Sequence, residues 1–241
     1  MDAVRDDVRD ENPRGKAGTG AGTLDAERRL VPYTHAMNLQ EAATSPGPYT
    51  WEDFLRLGED DLRELIDGEL VEVEVPKELH EYVVAMLSFF LTGWARAHGG
   101  RVLGSSYKVR VTAKRGVMPD VQVFRAGNLA AVEQQAGLER GRPDLVVEVV
   151  SPTSRRYDRV TKLRWYAAIG VPEYWIVDPE ERTLERLVLV HGGHGGHGGH
   201  GGRGEHARFI IADALEGDSA FRAESFEGLE IPLGELWGGA R

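Results

Sequence analysis

The stretch "RPDLVVEVV" (142–150) constrains the fold more than any other part of the chain. Its apolar, β-branched residues run without alternation, so both faces of the strand must be covered and the strand belongs in the centre of a sheet. Glu148 interrupts this run between Val147 and Val149. A carboxylate there costs stability unless something neutralises it. Pro-Asp opens this run, and a second Pro-Asp opens "MPDVQVF" (118–124). Three acids, Asp120, Asp144 and Glu148, therefore sit at or inside strand-like segments.

Strand geometry separates them. Asp144 and Glu148 share a strand face, but four residues of strand rise put their Cα atoms about 13 Å apart. Mg²⁺ takes its oxygens at about 2.1 Å, which those two side chains cannot span together. Asp144 is thus expected at the strand entrance, as a turn or capping residue. Asp120 carries no such limit, because adjacent strands lie only about 4.8 Å apart. If 119–124 and 144–150 are neighbours, Asp120 and Glu148 converge. Two buried carboxylates raise each other's pKa unless a cation intervenes, and a divalent metal answers that need. On the helix expected after this strand, Lys162 and Tyr166 lie one turn apart on one face. Two readings of these residues stand together. In one, Asp120 and Glu148 hold Mg²⁺ or Mn²⁺ while Lys162 positions a water and offsets negative charge. In the other, Lys162 and Glu148 form a structural ion pair.

Elsewhere the pattern is mixed α/β. Residues 1–47 are rich in Asp, Arg, Gly, Ala and Pro without an apolar period, and are expected to be a disordered extension. Thr50 followed by Asp53 resembles a capping box with Asp in place of Glu. "LRELIDGELVEVEV" (62–75) reads as a hairpin turning at Asp67-Gly68. Val83, Met86, Leu87, Phe90, Leu91 and Trp94 recur at helical spacing up to Gly99-Gly100. Strands are expected near 101–111, 117–124, 144–150 and 173–178, with a weaker helical piece near 128–136 and a helix ending at Gly170. "TLERLVLV" and "EHARFIIA" read as a closing β pair. Between them "HGGHGGHGGHGGRG" (191–204) reads as a flexible insertion whose glycines give its histidines no fixed metal geometry. The ordering predicts one mixed sheet flanked by helices, within a domain spanning 48–238.

Composition narrows the function. No run approaches the 18 or so apolar residues that suggest a membrane span, and residues 1–20 lack the apolar core of a secretory signal. With no cysteine, disulfides and thiolate chemistry are excluded, and a cytoplasmic location fits. The net charge of −10 argues against indiscriminate polyanion binding. Yet "SRRYDRVTKLR" (154–164) gathers Arg155, Arg156, Arg159, Lys162 and Arg164 against Asp158 alone. This basic island is either a solvated helix face or a phosphate-contacting edge.

The chain resembles the Uma2 family, a bacterial group with a restriction-endonuclease-like fold in the PD-(D/E)xK nuclease superfamily. The resemblance runs from about Tyr49 to Trp237, omitting the His-Gly insertion. It is carried by "ELIDGELV", "PKELH", "MPDVQVF", "RPDLVVEVVSPTSRRYDRVTKLRWYAAIGVPEYWIVDP" and "GLEIPLGELW". It implies a mixed central sheet with an N-terminal β-hairpin and a C-terminal β extension, and it implies Mg²⁺- or Mn²⁺-dependent hydrolysis of DNA. The superfamily's PD aspartate falls on Asp120 and its second acid on Glu148. Two residues after that acid, where the superfamily carries Lys, this chain has Val150; the Lys is displaced to Lys162. Glu64 and His80 also match family positions, Glu64 extending the acidic cluster and His80 either serving the site or acting as a packing or capping residue. Arg155, Arg156 and Arg159 would then meet phosphates, and a homodimer would suit a cut through both strands. The competing expectation is a catalytically silent domain of the same fold that binds nucleic acid or a protein partner.

Overall fold

The hairpin signal at Asp67-Gly68 is realised through backbone conformation. Asp67 and Gly68 both have positive φ, 50° and 82°, the combination that a two-residue turn of matching twist requires. A Cβ on Gly68 would stand 2.3 Å from the Gly47 carbonyl oxygen, so the turn also needs the missing side chain. The computed structural model describes residues 47–58, 61–72, 77–132, 137–191 and 207–238. The extension expected before residue 47 and the His-Gly tract from 192 lie outside these residues, as does the end of the helical piece near 128–136.

In chain order, helix α1 (Trp51–Leu55) starts with both halves of the expected Thr50/Asp53 capping box. Strands β1 (Arg63–Ile66) and β2 (Glu69–Glu72) form the hairpin. Helix α2 (Glu78–Ala97) buries Val83, Leu87, Leu91 and Ala95 along one stripe. Strands β3 (Arg101–Gly104), β4 (Lys108–Thr112), β5 (Arg115–Val117) and β6 (Val121–Phe124) follow. A 3₁₀ segment covers Ala126–Ala131. Strands β7 (Gly137–Leu138) and β8 (Leu145–Val149) come next. A π-helical segment (Tyr157–Lys162) leads into helix α3 (Leu163–Ala168). Strands β9 (Glu173–Asp178), β10 (Thr183–His191), β11 (Ala207–Glu216), β12 (Ala220–Phe221) and β13 (Ile231–Pro232) precede helix α4 (Leu233–Leu236).

The expectation of a single sheet is corrected. Six strands run in the order β11-β10-β9-β8-β6-β3, while β2-β1-β5-β4-β7 form a separate sheet and β12 pairs with β13. The region read as strand over 101–111 divides because the chain turns between Gly104 and Tyr107, whose N–H meets the Gly104 carbonyl at 3.2 Å. β3 stays in the first sheet and β4 enters the second.

β8 lies inside the six-stranded sheet, parallel to β9 and antiparallel to β6. Its period of two sorts its residues between two cores. Leu145, Val147 and Val149 pack with Val83, Leu87 and Leu91 of α2 and with Trp175. Val146 and Val150 pack on the opposite face with Tyr166, Tyr174 and Ile176. Full burial of each such aliphatic side chain contributes about 1.5–3 kcal/mol, so the register of β8 is firmly set. Glu148, between Val147 and Val149, is thereby forced onto the face that α3 covers.

Candidate active site

β6 and β8 pair with Val121 opposite Val147. The next position outward sets Asp120 across from Glu148, on the same face of the sheet. Both line a cavity of about 180 Å³ together with Glu64, His80, Tyr157, Asp158 and Lys162. Asp120 is fixed by the backbone N–H of Val149, which donates to its Oδ2 at 2.7 Å. His80, in the first turn of α2, brings its Nε2 to 3.4 Å from the same oxygen.

Lys162 points inward from the end of the π-helical segment and is buried. Its ammonium lies 3.0 Å from Glu148, 3.2 Å from Glu64 and 3.4 Å from Asp158. Tyr166, one turn on, donates its hydroxyl to the same Glu148 Oε1 that Lys162 contacts. Glu64 arrives from β1 in the other sheet. It accepts from the Met118 N–H and the Tyr157 hydroxyl, each at 2.9 Å. The local chain that delivers Lys162 is unusual: the Leu163 N–H reaches back five residues to the Asp158 carbonyl, a wide turn that proteins use sparingly and often near functional sites.

These groups strain one another. Burial pushes the Glu148 carboxyl well above the ordinary range; Lys162 opposes this, and Asp120, Asp158 and Glu64 add to it. Burial raises Asp158 likewise, against Lys162 and a hydrogen bond with Ser154. Burial alone would lower Lys162, but the surrounding carboxylates outweigh it and hold the ammonium charged far into alkaline pH. For His80, burial also opposes the charge, and the Asp120 contact reverses it to a raised pKa. The cluster therefore gathers several carboxyl groups about one ammonium, and ionising all of them together is costly.

Asp120 and Glu148 offer hard oxygen donors, and among the described residues Asp120 Oδ1 and Glu148 Oε2 accept no protein hydrogen bond. Such a pair suits Mg²⁺ or Mn²⁺. Among the described residues no group of three His, Asp or Glu is arranged around a metal position. A cation here would complete its shell with water or phosphate oxygens, as Mg²⁺ commonly does.

The other sequence candidates separate. Asp144 stands at the far end of β8, where it accepts from the Arg125 N–H at 2.8 Å and from Asn128 at 3.1 Å. Two arginines of the basic island have acidic partners in the fold. Arg155 pairs with Asp178 at 2.8 Å and Arg159 with Glu185, acids that β9 and β10 bring alongside. Arg156 is exposed. Two members of the cluster, Tyr157 and Asp158, were not anticipated. Asp158 carried a readable signal, since it precedes Lys162 by four residues as the single acid in a basic run.

A family profile described as "Uma2: Putative restriction endonuclease" matches residues 51–204. A solved structure from Anabaena variabilis, described as "a putative nuclease belonging to DUF820", superposes with a TM-score of 0.58 at 18% identity. That match covers 79% of this chain and 98% of the other. No curated protein matches the chain.

Proposed function

Because the chain belongs to the Uma2 family, we propose that it is a metal-dependent endonuclease that hydrolyses DNA phosphodiester bonds. The observation that carries this reading is the approach of Asp120 and Glu148 from adjacent strands onto one cavity, with the Lys162 ammonium 3.0 Å from Glu148. In the proposal Asp120 and Glu148 hold Mg²⁺ or Mn²⁺. The ion would supply Lewis-acid polarisation of a phosphoryl oxygen and a more acidic water. Val149 N–H and His80 keep Asp120 aimed, and Tyr166 keeps Glu148 aimed. Lys162, as a cation, cannot take a proton. It orients a water by donating to its oxygen and offsets charge gathering on phosphate. The buried position of these groups strengthens each such contact relative to water. Lys77, exposed where it lines the cavity, and the exposed Arg156 are cations that would meet the backbone of an approaching strand.

The test is cleavage of single-stranded, duplex and branched DNA with Mg²⁺ or Mn²⁺, comparing the natural chain with Asp120→Ala and Glu148→Gln. Metal-dependent cutting lost in both variants supports the reading. DNA binding without cutting, and without divalent binding at the pair, would establish the silent binding domain instead.

A further inference from the structure

α2 presents an outward face that the described residues leave bare. Ala85, Phe89, Thr92, Gly93 and Arg96 are exposed along it, and with Ser88 they line an open groove of about 400 Å³. Phe89 is 69% exposed, the most of any large apolar residue among those described, and it is held by an edge-on contact with Phe90 at 5.4 Å. Gly93 sits mid-helix, where glycine is the weakest former after proline. Nothing lies within 4 Å of the Cβ it lacks, so packing inside the protomer gives no reason for it. Closely approaching backbone would.

The charges on this face complement a copy of itself. Glu81 precedes the Ser88–Phe89 bond by as many residues as Arg96 follows it, roughly 11 Å of helix each way. A two-fold axis at that bond, with the helices antiparallel, sets Glu81 opposite Arg96 at both ends and Ala85 opposite Thr92. Phe89 then fills the space above Ser88 and Gly93. This is the self-matching pattern of a symmetric dimer, where residue i meets j and j meets i. We propose that two copies of this chain pair through this face, α2 against α2. The pairing brings the partner's Arg96 to Glu81, which lines the mouth of the carboxylate cavity and lies 3.6 Å from His80. It adds a cation to a cavity rim poor in free ones and fixes two cavities about one axis. The dimer stands independently of whether the cavity cuts DNA.

Sedimentation velocity of the full chain over a concentration series tests this. The natural chain should dimerise, and Gly93→Arg and Phe89→Glu should be monomeric at the same concentrations. Gly93→Arg displaces nothing within the protomer, so unchanged helix content by circular dichroism shows that it folds. Arg96→Glu should weaken the dimer about tenfold or more through two rim ion pairs, and the swap Glu81→Arg with Arg96→Glu should restore it. A natural chain that stays monomeric overturns the proposal. So does a dimer indifferent to Gly93→Arg and Phe89→Glu, or a charge swap as weak as Arg96→Glu alone.

Discussion

Replacing Glu148 with Gln distinguishes a strained reactive carboxylate from half of a structural ion pair. The amide is nearly isosteric, and its oxygen can still accept from Lys162 and Tyr166, which now share Glu148 Oε1. One negative charge leaves a buried cluster that retains Glu64, Asp158 and Asp120 around a single ammonium. Since burial and these acids hold the Glu148 pKa above its unfolded value, the folded protein binds the more protons between the two pKa values. The ionised group therefore costs stability that grows as pH rises above the unfolded pKa and through the folded one. Glu148→Gln should be more stable than the natural chain by about 1 kcal/mol at pH 8, the gain typical when a functional site is relaxed. The difference should shrink as pH falls towards the ordinary carboxylate range. Urea unfolding at several pH values measures it, and adding Mg²⁺ supplies a second axis. At a hundredfold excess over Kd the ion would stabilise the natural chain by about 2.7 kcal/mol and leave the variant unmoved. A loss of several kcal/mol at pH 8, with no response of the natural chain to Mg²⁺ or Mn²⁺, would refute the reasoning and make Lys162–Glu148 a structural pair.

Lys162→Met should act in the opposite direction, losing about 3–5 kcal/mol at neutral pH because three buried carboxylates lose their cation. Part of that loss should return on mild acidification in the same urea measurement, as those carboxylates take up protons. Asp144→Ala should cost about 1–3 kcal/mol, by unpairing the Arg125 N–H and Asn128 at the strand entrance. Cleavage per folded molecule should be unchanged, because Asp144 lies at the opposite end of β8 from the cavity.

What was legible in the sequence follows from how local its causes are. A two-residue turn needs only Asp67-Gly68, and α2 needs only its own apolar stripe, so both emerge at nearly the expected bounds. The separation of Asp144 from Glu148 needed only the rise of one strand. The meeting of Asp120 with Glu148 required one further premise, that β6 and β8 are neighbours, and their pairing supplies it. The partners of two arginines were not legible, because their cause is distant. Asp178 and Glu185 are remote in sequence, and they reach Arg155 and Arg159 because β8 and β9 run parallel and β10 returns beside them. Charge counted along a window records the cations and misses the anions that the sheet order carries in. The same blindness concealed how crowded Lys162 is. Seen locally it had one acid four residues before it; in the fold it holds three, one of them from a separate sheet. A lysine so placed cannot be exchanged without disturbing the core, so loss of cleavage in a Lys162 variant would not by itself assign it a role. The carboxylates facing the cavity, whose neutral isosteres keep the packing, are where chemistry and stability can be told apart.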